Sequence, residues 1–323
     1  MKAFVYCDYG APDVLRLANV AAPTPGDGQV LVSVRAAGIN QLEAHHLHGT
    51  PYVMRLDIGL RKPKNIRIGA DFAGVVAAVG PHVTLFKPGD EVFGARNGAL
   101  AEQVVVAETS VVRKPTNITF EQAAAVPVAA VTALQAVRDH GHVQPGQSVL
   151  VNGASGGVGT FAVQIAKAFG GGVTGVSSTR NVDLVRSLGA AVTIDYTKQD
   201  YTQGTESYDV IVDMVGNHTL RENRRVLTPA GIYVMVGGPE GHWIAPLDRA
   251  VQMIVYSKFV SQTFVIFLAN VTSAELTTLR DLMQAGTVTP VIDRRYPFSE
   301  LPEAMRYLET GRAHGKIVLT VAP

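Results

Sequence analysis

Seven residues in the middle of the chain are the clearest place for chemistry: Gly153-Ala154-Ser155-Gly156-Gly157-Val158-Gly159. An apolar run, Ser148–Val151, leads into them. Phe161–Phe169 follows with helical spacing, Phe161, Ile165 and Ala168 falling on one face, and a second apolar run, Val173–Val176, comes next. Strand, glycine turn, helix and strand make one βαβ unit. Ala154 stands where a dinucleotide-binding turn usually carries its first glycine. Gly156 lets the backbone approach a pyrophosphate, and Gly159 lets the helix lie close on the strand. The N–H groups at the helix start then face negative charge. The expected chemistry is dinucleotide binding through Gly153, Ala154, Ser155, Gly156, Gly157 and Val158; the alternative is a glycine turn that binds nothing.

The end of the second strand bears on which dinucleotide. A site for NAD usually places Asp or Glu there, accepting from the adenosine ribose. This chain has Ser177, then Ser178, Thr179 and Arg180. No carboxylate at that position repels a 2′-phosphate, and hydroxyls and a guanidinium are available to bind one. The reading is NADPH, with Ser177 and Arg180 at its adenosine end; the alternative is a polar, solvated loop. Tyr196 follows the third strand and packs on the adenosine side. Val215 and Gly216, and likewise Val236, Gly237 and Gly238, end strands at the carboxyl edge of the sheet, where doubly wound folds hold ligands.

The elements that must position these residues fall into two textures. Up to about Gln122 the chain is β-rich, with short runs at Ala3–Tyr6, Val30–Ala37, Gly74–Val79, Glu91–Gly94 and Gln103–Ala107 punctuated by Pro and Gly. His45–Lys64 interrupts them as a long polar, basic segment without periodicity. Glu121–Ala136 then has helical spacing broken at Pro127. From the βαβ unit to about Leu268 strands and helices alternate, which means a doubly wound parallel sheet. Ser273–Gln284 is an amphipathic helix with Ser273 as candidate cap and Gly286 as stop, and Lys316–Val321 is a closing strand. The expected division is a β-rich domain over 1–122, completed by 269–323, and a Rossmann domain over 123–268.

Composition narrows the partners. At 323 residues, 47% hydrophobic and 17% charged, the chain suits a well-cored protein of two domains. A net charge of +1 gives no electrostatic case for nucleic acid or an anionic membrane. Cys7 is the only cysteine, so neither an intrachain disulfide nor a cysteine-based zinc site can form. No apolar signal core and no membrane span is expected, and the default location is cytoplasmic.

Several segments together resemble the medium-chain dehydrogenase/reductase superfamily, in its zinc-free quinone oxidoreductase branch. They are AAGIN at Ala36–Asn40, GADFAGVVAAVG at Gly69–Gly80, KPGDEVFG at Lys87–Gly94, NGASGGVG at Asn152–Gly159, IDYTK at Ile194–Lys198 and GKIVL at Gly315–Leu319. Thr50–Asn65 is similar to the reticulon-interacting oxidoreductase group within that branch. The resemblance implies a GroES-like domain with a Rossmann domain, the nicotinamide in the cleft between them, and commonly a homodimer. It implies NADPH-dependent reduction of quinones or α,β-unsaturated carbonyls. The positions matching the catalytic zinc ligands of related enzymes are Asn40, Ala70 and Val128, a poor ligand set, so no metal is expected. His45, His46 and His48 do not share one helix face.

The resemblance also assigns roles. Asn40 lies near the nicotinamide, donating to the substrate oxygen or the ribose, or else it only caps a turn. Tyr52 is the candidate proton or hydrogen-bond donor at the mouth of the site, or else it packs its loop. Thr132 lies beside the nicotinamide ring, or bonds its own helix. Lys316 reaches a cofactor phosphate or is a solvated strand end. Two other functions compete: an enoyl-thioester reductase, with Arg55, Arg61, Lys62, Lys64 and Arg67 for a carrier arm, and a non-catalytic NADPH-binding protein. Acceptor choice is expected in Leu42–Asn65 and Pro239–Ser257.

Overall fold

The structure is a computed structural model that describes residues 1–238 and 247–322. The chain forms two compact units, Met1–Val131 with Val271–Pro323, and Thr132–Asn270.

The first unit opens with β1 (Lys2–Val5), β2 (Arg16–Asn19), β3 (Gln29–Ile39), α1 (Gln41–His48) and α2 (Arg55–Ile58). It continues with β4 (Asp71–Val79), β5 (Glu91–Ala95), β6 (Gln103–Ala107), β7 (Val111–Arg113), α3 (Phe120–Ala124) and the start of α4 (Pro127–Leu134). Strand β3 organises it. Its outer half alternates, with Val30, Val32 and Val34 buried, and pairs with β4 and β6. From Ala36 both faces are covered and the partner changes from β6 to the last strand of the chain. The covering is close: a Cβ on Gly38 would lie 2.3 Å from the carbonyl oxygen of Ala124. Helix α3 is thereby seated on β3, and this unit runs past the expected boundary at Gln122 to Val131. The helical run does break at Pro127: α3 ends at Ala124, and Pro127 opens α4, where its missing N–H costs nothing.

The second unit contains β8 (Ser148–Asn152), α5 (Gly157–Ala168), β9 (Gly172–Ser177), α6 (Val182–Ser187), β10 (Val192–Asp195) and β11 (Tyr208–Asp213). It ends with α7 (Leu220–Arg225), β12 (Leu227–Met235), α8 (Leu247–Tyr256) and β13 (Thr263–Ile266). Its six strands are all parallel, in the order β10-β9-β8-β11-β12-β13. Chain order reverses between β8 and β11, the switch point of a Rossmann sheet. Leu150, Ile211, Tyr233 and Met235 form the centre of its core. The tail returns to the first unit as α9 (Ser273–Gln284), β14 (Ile292–Pro297), α10 (Leu301–Glu309) and β15 (Lys316–Thr320), and β15 pairs with both β14 and β3. The sheet there is seven-stranded, β14-β15-β3-β4-β5-β7, with β6 on β3. Leu301, Met305, Ile317 and Leu319 share one core with Phe4, Leu47, Ile68 and Phe72.

Local expectations are corrected at three places. His45–Lys64 is not irregular: it holds the end of α1, a 3-10 turn at Tyr52–Met54 and α2. Gly49, at φ 60°, stops α1. The cap of α9 is Thr272, whose hydroxyl accepts from the Glu275 N–H, and not Ser273. On α5, Phe161 and Ile165 are buried but Ala168 is exposed. Of the expected acceptor loop Pro239–Ser257, residues 239–246 lie outside the described residues. Among the described residues no helix is long and apolar enough to cross a membrane.

Candidate active site

The glycine-rich turn joins β8 to α5. Gly153 sits at φ 81°, a conformation that L side chains rarely adopt. A Cβ on Gly159 would lie 2.1 Å from the Gly153 carbonyl oxygen, so the close helix–strand contact requires glycine there. In front of Gly156 there is space, the nearest atom to a Cβ being 3.5 Å away. Helix α5 starts at Gly157 without a side-chain cap, and it is long enough for a useful dipole at its first N–H groups. A pyrophosphate fits such a cradle by charge and by space.

The adenosine end shows features that one-dimensional reading misses. Ser177 is buried, and its carbonyl oxygen accepts from the Tyr196 N–H at 3.0 Å, leaving the Tyr196 ring 61% exposed beside it. Arg180 is exposed, in a 3-10 turn over Thr179–Asn181. Asn181, not anticipated, is buried, and its amide donates to the hydroxyls of Ser155 at 3.0 Å and Ser178 at 3.3 Å. It therefore ties the glycine turn to the Ser177–Arg180 loop. A carboxylate is also present one strand over. Asp195 is the register partner of Ser177. It accepts from the Thr179 hydroxyl at 2.6 Å and the Thr197 hydroxyl at 2.7 Å, and Lys198 lies 3.3 Å away. The Thr179 hydrogen bond holds its carboxyl below the ordinary range, so it is ionised. The absence of an acid holds for β9 but not for its neighbour, although Lys198 offsets that charge.

The carboxyl ends of β11 and β12 supply the other expected residues. Val215 is 42% exposed and Gly216 has φ 67°. The N–H groups of Val236 and Gly237 donate to the Asp213 carbonyl oxygen, and Gly237 approaches Met214 so closely that a Cβ would lie 2.1 Å from the Met214 oxygen. Gly238 follows them at half exposure, and Thr132 is half-buried on α4.

In the first unit a buried polar cluster gathers the segments that match the zinc-ligand positions. Asn40 precedes α1, where its N–H donates to the Glu43 carboxylate at 2.7 Å. Its side-chain amide donates to Asp71 at 3.0 Å and accepts from the Lys316 ammonium. Asp71, next to Ala70, also accepts from the Val128 N–H at 3.0 Å. Lys316 donates to the Ile39 carbonyl at 2.8 Å and lies 3.7 Å from Asp71. Of the two readings of Lys316, the solvated strand end is wrong, since the residue is 3% exposed; nor does a cofactor phosphate account for its ammonium, which is directed into this cluster because β15 lies against β3 where both faces are covered. Among the described residues no group of three or more His, Cys, Asp or Glu could hold a metal ion.

Two carboxyl groups and one amine are buried together here. Burial pushes Asp71 up and Lys316 down, each opposed by the other's charge. Glu43 is pushed up to about 7 by burial first and the Asp71 carboxylate second. Between the ordinary value of 4.5 and about 7 the folded protein keeps a proton that the unfolded chain has released. The contribution of this group to stability is therefore full below that window and falls as pH rises through it. Glu43→Gln should flatten this slope when urea midpoints are compared between about pH 4.5 and about pH 7. A slope identical to that of the unmodified protein would put the titrating group elsewhere.

Tyr52 begins the 3-10 turn and is 38% exposed. The guanidinium of Arg55 lies 4.7 Å from its ring and 4.4 Å from that of Tyr9, and it donates to the carbonyls of His48 and Gly49. Arg55 thus presents Tyr52 on a fixed support. Lys62 pairs with Asp8, and His48 with Glu309. Of these groups Arg55 is held by the fold, whereas the Lys62–Asp8 pair lies on the surface.

Comparison with known proteins agrees with this arrangement. The alcohol dehydrogenase GroES-like domain model matches residues 26–116, and the zinc-binding dehydrogenase model matches 188–319. The chain is 35% identical to a 2-methylene-furan-3-one reductase of Solanum lycopersicum, over 100% of this chain and 80% of that protein. It is 34% identical to the mitochondrial NAD(P)H oxidoreductase RTN4IP1 of Mus musculus, over 99% and 89%. Among solved structures, the quinone oxidoreductase from Coxiella burnetii superposes with a TM-score of 0.86 at 28% identity, covering 100% of this chain and 99% of that one. With a GroES-like sheet, a Rossmann sheet and these relatives across its full length, the chain belongs to the medium-chain dehydrogenase/reductase superfamily, in the quinone oxidoreductase branch, and is a nicotinamide-dependent oxidoreductase.

Proposed function

We propose that this enzyme transfers hydride from NADPH to quinones or α,β-unsaturated carbonyl compounds without a metal. The observation that carries the reading is the glycine cradle at the switch point with a hydroxyl- and guanidinium-bearing loop at its adenosine end. The names of relatives, a furanone reductase and a quinone oxidoreductase, support the acceptor class. The nicotinamide supplies the hydride; the protein supplies position and electrostatics. Hydride arriving at the β-carbon of an enone leaves charge on the carbonyl oxygen, which needs a donor, and the α-carbon then takes a proton. Tyr52 is the donor in this reading. Asn40 has two amide hydrogens, of which one serves Asp71, leaving the other for the acceptor or the ribose. Of the residues the carrier-arm alternative would use, Arg55 is engaged within the unit.

The direct test follows NADPH oxidation across quinones, enones, aldehydes and enoyl thioesters with product identification. Turnover of a quinone or enone is expected. Cofactor binding without turnover of any acceptor would favour the non-catalytic alternative, and thioesters as the best acceptors would favour the carrier-arm reading.

Two further results should accompany it. Activity should survive exhaustive chelation, because Asn40, Ala70 and Val128 offer no ligand set; loss of turnover that returns only with zinc would overturn the metal-free reading. Tyr52→Phe should lower turnover about tenfold, less than the roughly hundredfold cost of an enclosed donor, since the residue is 38% exposed. Single-turnover rates unchanged by the substitution would reduce Tyr52 to packing on Arg55.

A homodimer is part of this reading. Among the described residues β13 pairs with β12 alone, and Phe259 and Leu268 nearby are 79% and 96% exposed. An open strand edge flanked by apolar side chains supports pairing with a second copy.

A further inference from the structure

Asp213 is fully buried, and among the described residues its hydrogen-bond partners are all neutral groups. One of its oxygens accepts from the Asn152 amide at 2.8 Å and from the N–H groups of Val215 and Gly216, both at 2.9 Å. The other accepts from the Tyr233 hydroxyl at 2.8 Å. Tyr233 is itself fully buried, and burial reinforced by the Asp213 charge keeps its phenol protonated, so it donates. A second bond of the Asn152 amide, 2.9 Å long, reaches the Asn217 side chain. Asp213 is the register partner of Asn152 across β8 and β11, and Tyr233 stands on β12 two residues before Met235, the partner of Asp213 there.

The location decides what this network does. Asn152 immediately precedes the glycine turn, and Asp213 ends β11 one residue before the Val215–Gly216 turn. The two stand on either side of the point where strand order reverses. A dinucleotide lies across such a crevice, one mononucleotide to each half of the sheet. The adenosine half falls to β9 and β10, where Ser177, Arg180 and Tyr196 are, so the β11 and β12 side faces the nicotinamide half. A buried acid costs several kcal/mol unless its acceptors are satisfied, and here they are satisfied by the two turns themselves.

We propose that Asp213, held by Asn152 and Tyr233, is the positioning residue that fixes the Val215–Gly216 turn against the glycine turn and so sets the pose of the nicotinamide mononucleotide. It touches no reacting atom and acts through the backbone N–H groups it binds. The inference rests on the cofactor reading above, and its test separates the two.

Calorimetric titration compares the whole cofactor with its adenosine fragment. For Asp213→Ala, affinity for NADPH should fall about tenfold to a hundredfold, because two turn N–H groups lose their buried acceptor. Affinity for adenosine 2′,5′-bisphosphate, which lacks the nicotinamide half, should change by less than about twofold on the same scale. Tyr233→Phe, which keeps the ring in the core, is the milder second variant and should show the same split with a smaller loss. Asp213→Asn keeps an acceptor for the turn N–H groups and should recover most of the NADPH affinity. Equal losses for both ligands, or no loss for either, would overturn the positioning role. If the unmodified protein binds NADH and not NADPH, the same comparison with NADH and 5′-AMP still decides it. Failure of the unmodified protein to bind either dinucleotide would overturn the cofactor reading and this inference with it.

Discussion

Lys316→Met should destabilise the protein by about 3–5 kcal/mol, the cost of leaving one partner of a buried ion pair alone. The ammonium is the cationic partner of Asp71 inside the first unit, and both side chains are almost wholly buried. Without it Asp71 keeps the Asn40 amide and the Val128 N–H, which are neutral donors, beside a second carboxylate at Glu43. Adding Asp71→Asn to the Lys316→Met variant should return most of the loss, since replacing both charges of a buried pair is often close to neutral. The measurement is the urea midpoint at constant slope for each single variant and for the pair. A midpoint unmoved by Lys316→Met would mean that the ammonium gives Asp71 no net stabilisation. The same double variant separates stability from catalysis: it should fold, yet lower turnover if the orientation of Asn40 depends on the charges around it.

What the sequence makes legible, and what it does not, follows from how each contact is encoded. The βαβ unit is readable because its determinants are consecutive: Gly156 and Gly159 serve contacts within a few residues, and strand, turn and helix follow in order. The Asn40 cluster is encoded across distance. Lys316 and Asn40 are 276 residues apart, and a lone Lys at a strand start reads as solvated until β15 is known to lie on β3. Asp195 hides for the same reason, because its relation to Ser177 is a register between strands and not a spacing along one. The length of α1 escapes because its residues carry little apolar periodicity; its start is fixed by the reach of Glu43 back to the Asn40 N–H. An Asn directly before an amphipathic run is a capping signal, but Asn181 precedes α6 without a side-chain cap bond. Its amide instead joins Ser155, 26 residues away, to Ser178, a contact that no local spacing encodes.

That adenosine-end geometry sharpens the expected cofactor preference. NADPH should bind more tightly than NADH by about tenfold to a hundredfold, the value of one charge-assisted hydrogen bond of about 1.5–3 kcal/mol. Arg180 is exposed, so the preference should weaken as salt rises. Arg180→Ala should raise the NADPH dissociation constant and leave that of NADH almost unchanged, because only NADPH carries the 2′-phosphate. Ser177→Asp should go further. A new carboxylate facing the phosphate adds a like-charge cost of several kcal/mol and offers the ribose hydroxyls an acceptor, so the preference should pass to NADH. The structure adds a condition. Ser177 is buried, in register with Asp195, so the new acid also faces an existing one across adjacent strands. Ser177→Asp alone should lose stability, and adding Asp195→Asn should recover it while keeping the NADH preference. Titrating both cofactors against these proteins, with urea midpoints alongside, tests each step. Equal affinity for NADH and NADPH in the unmodified protein would sink the reading of this loop, while leaving the dinucleotide cradle untouched.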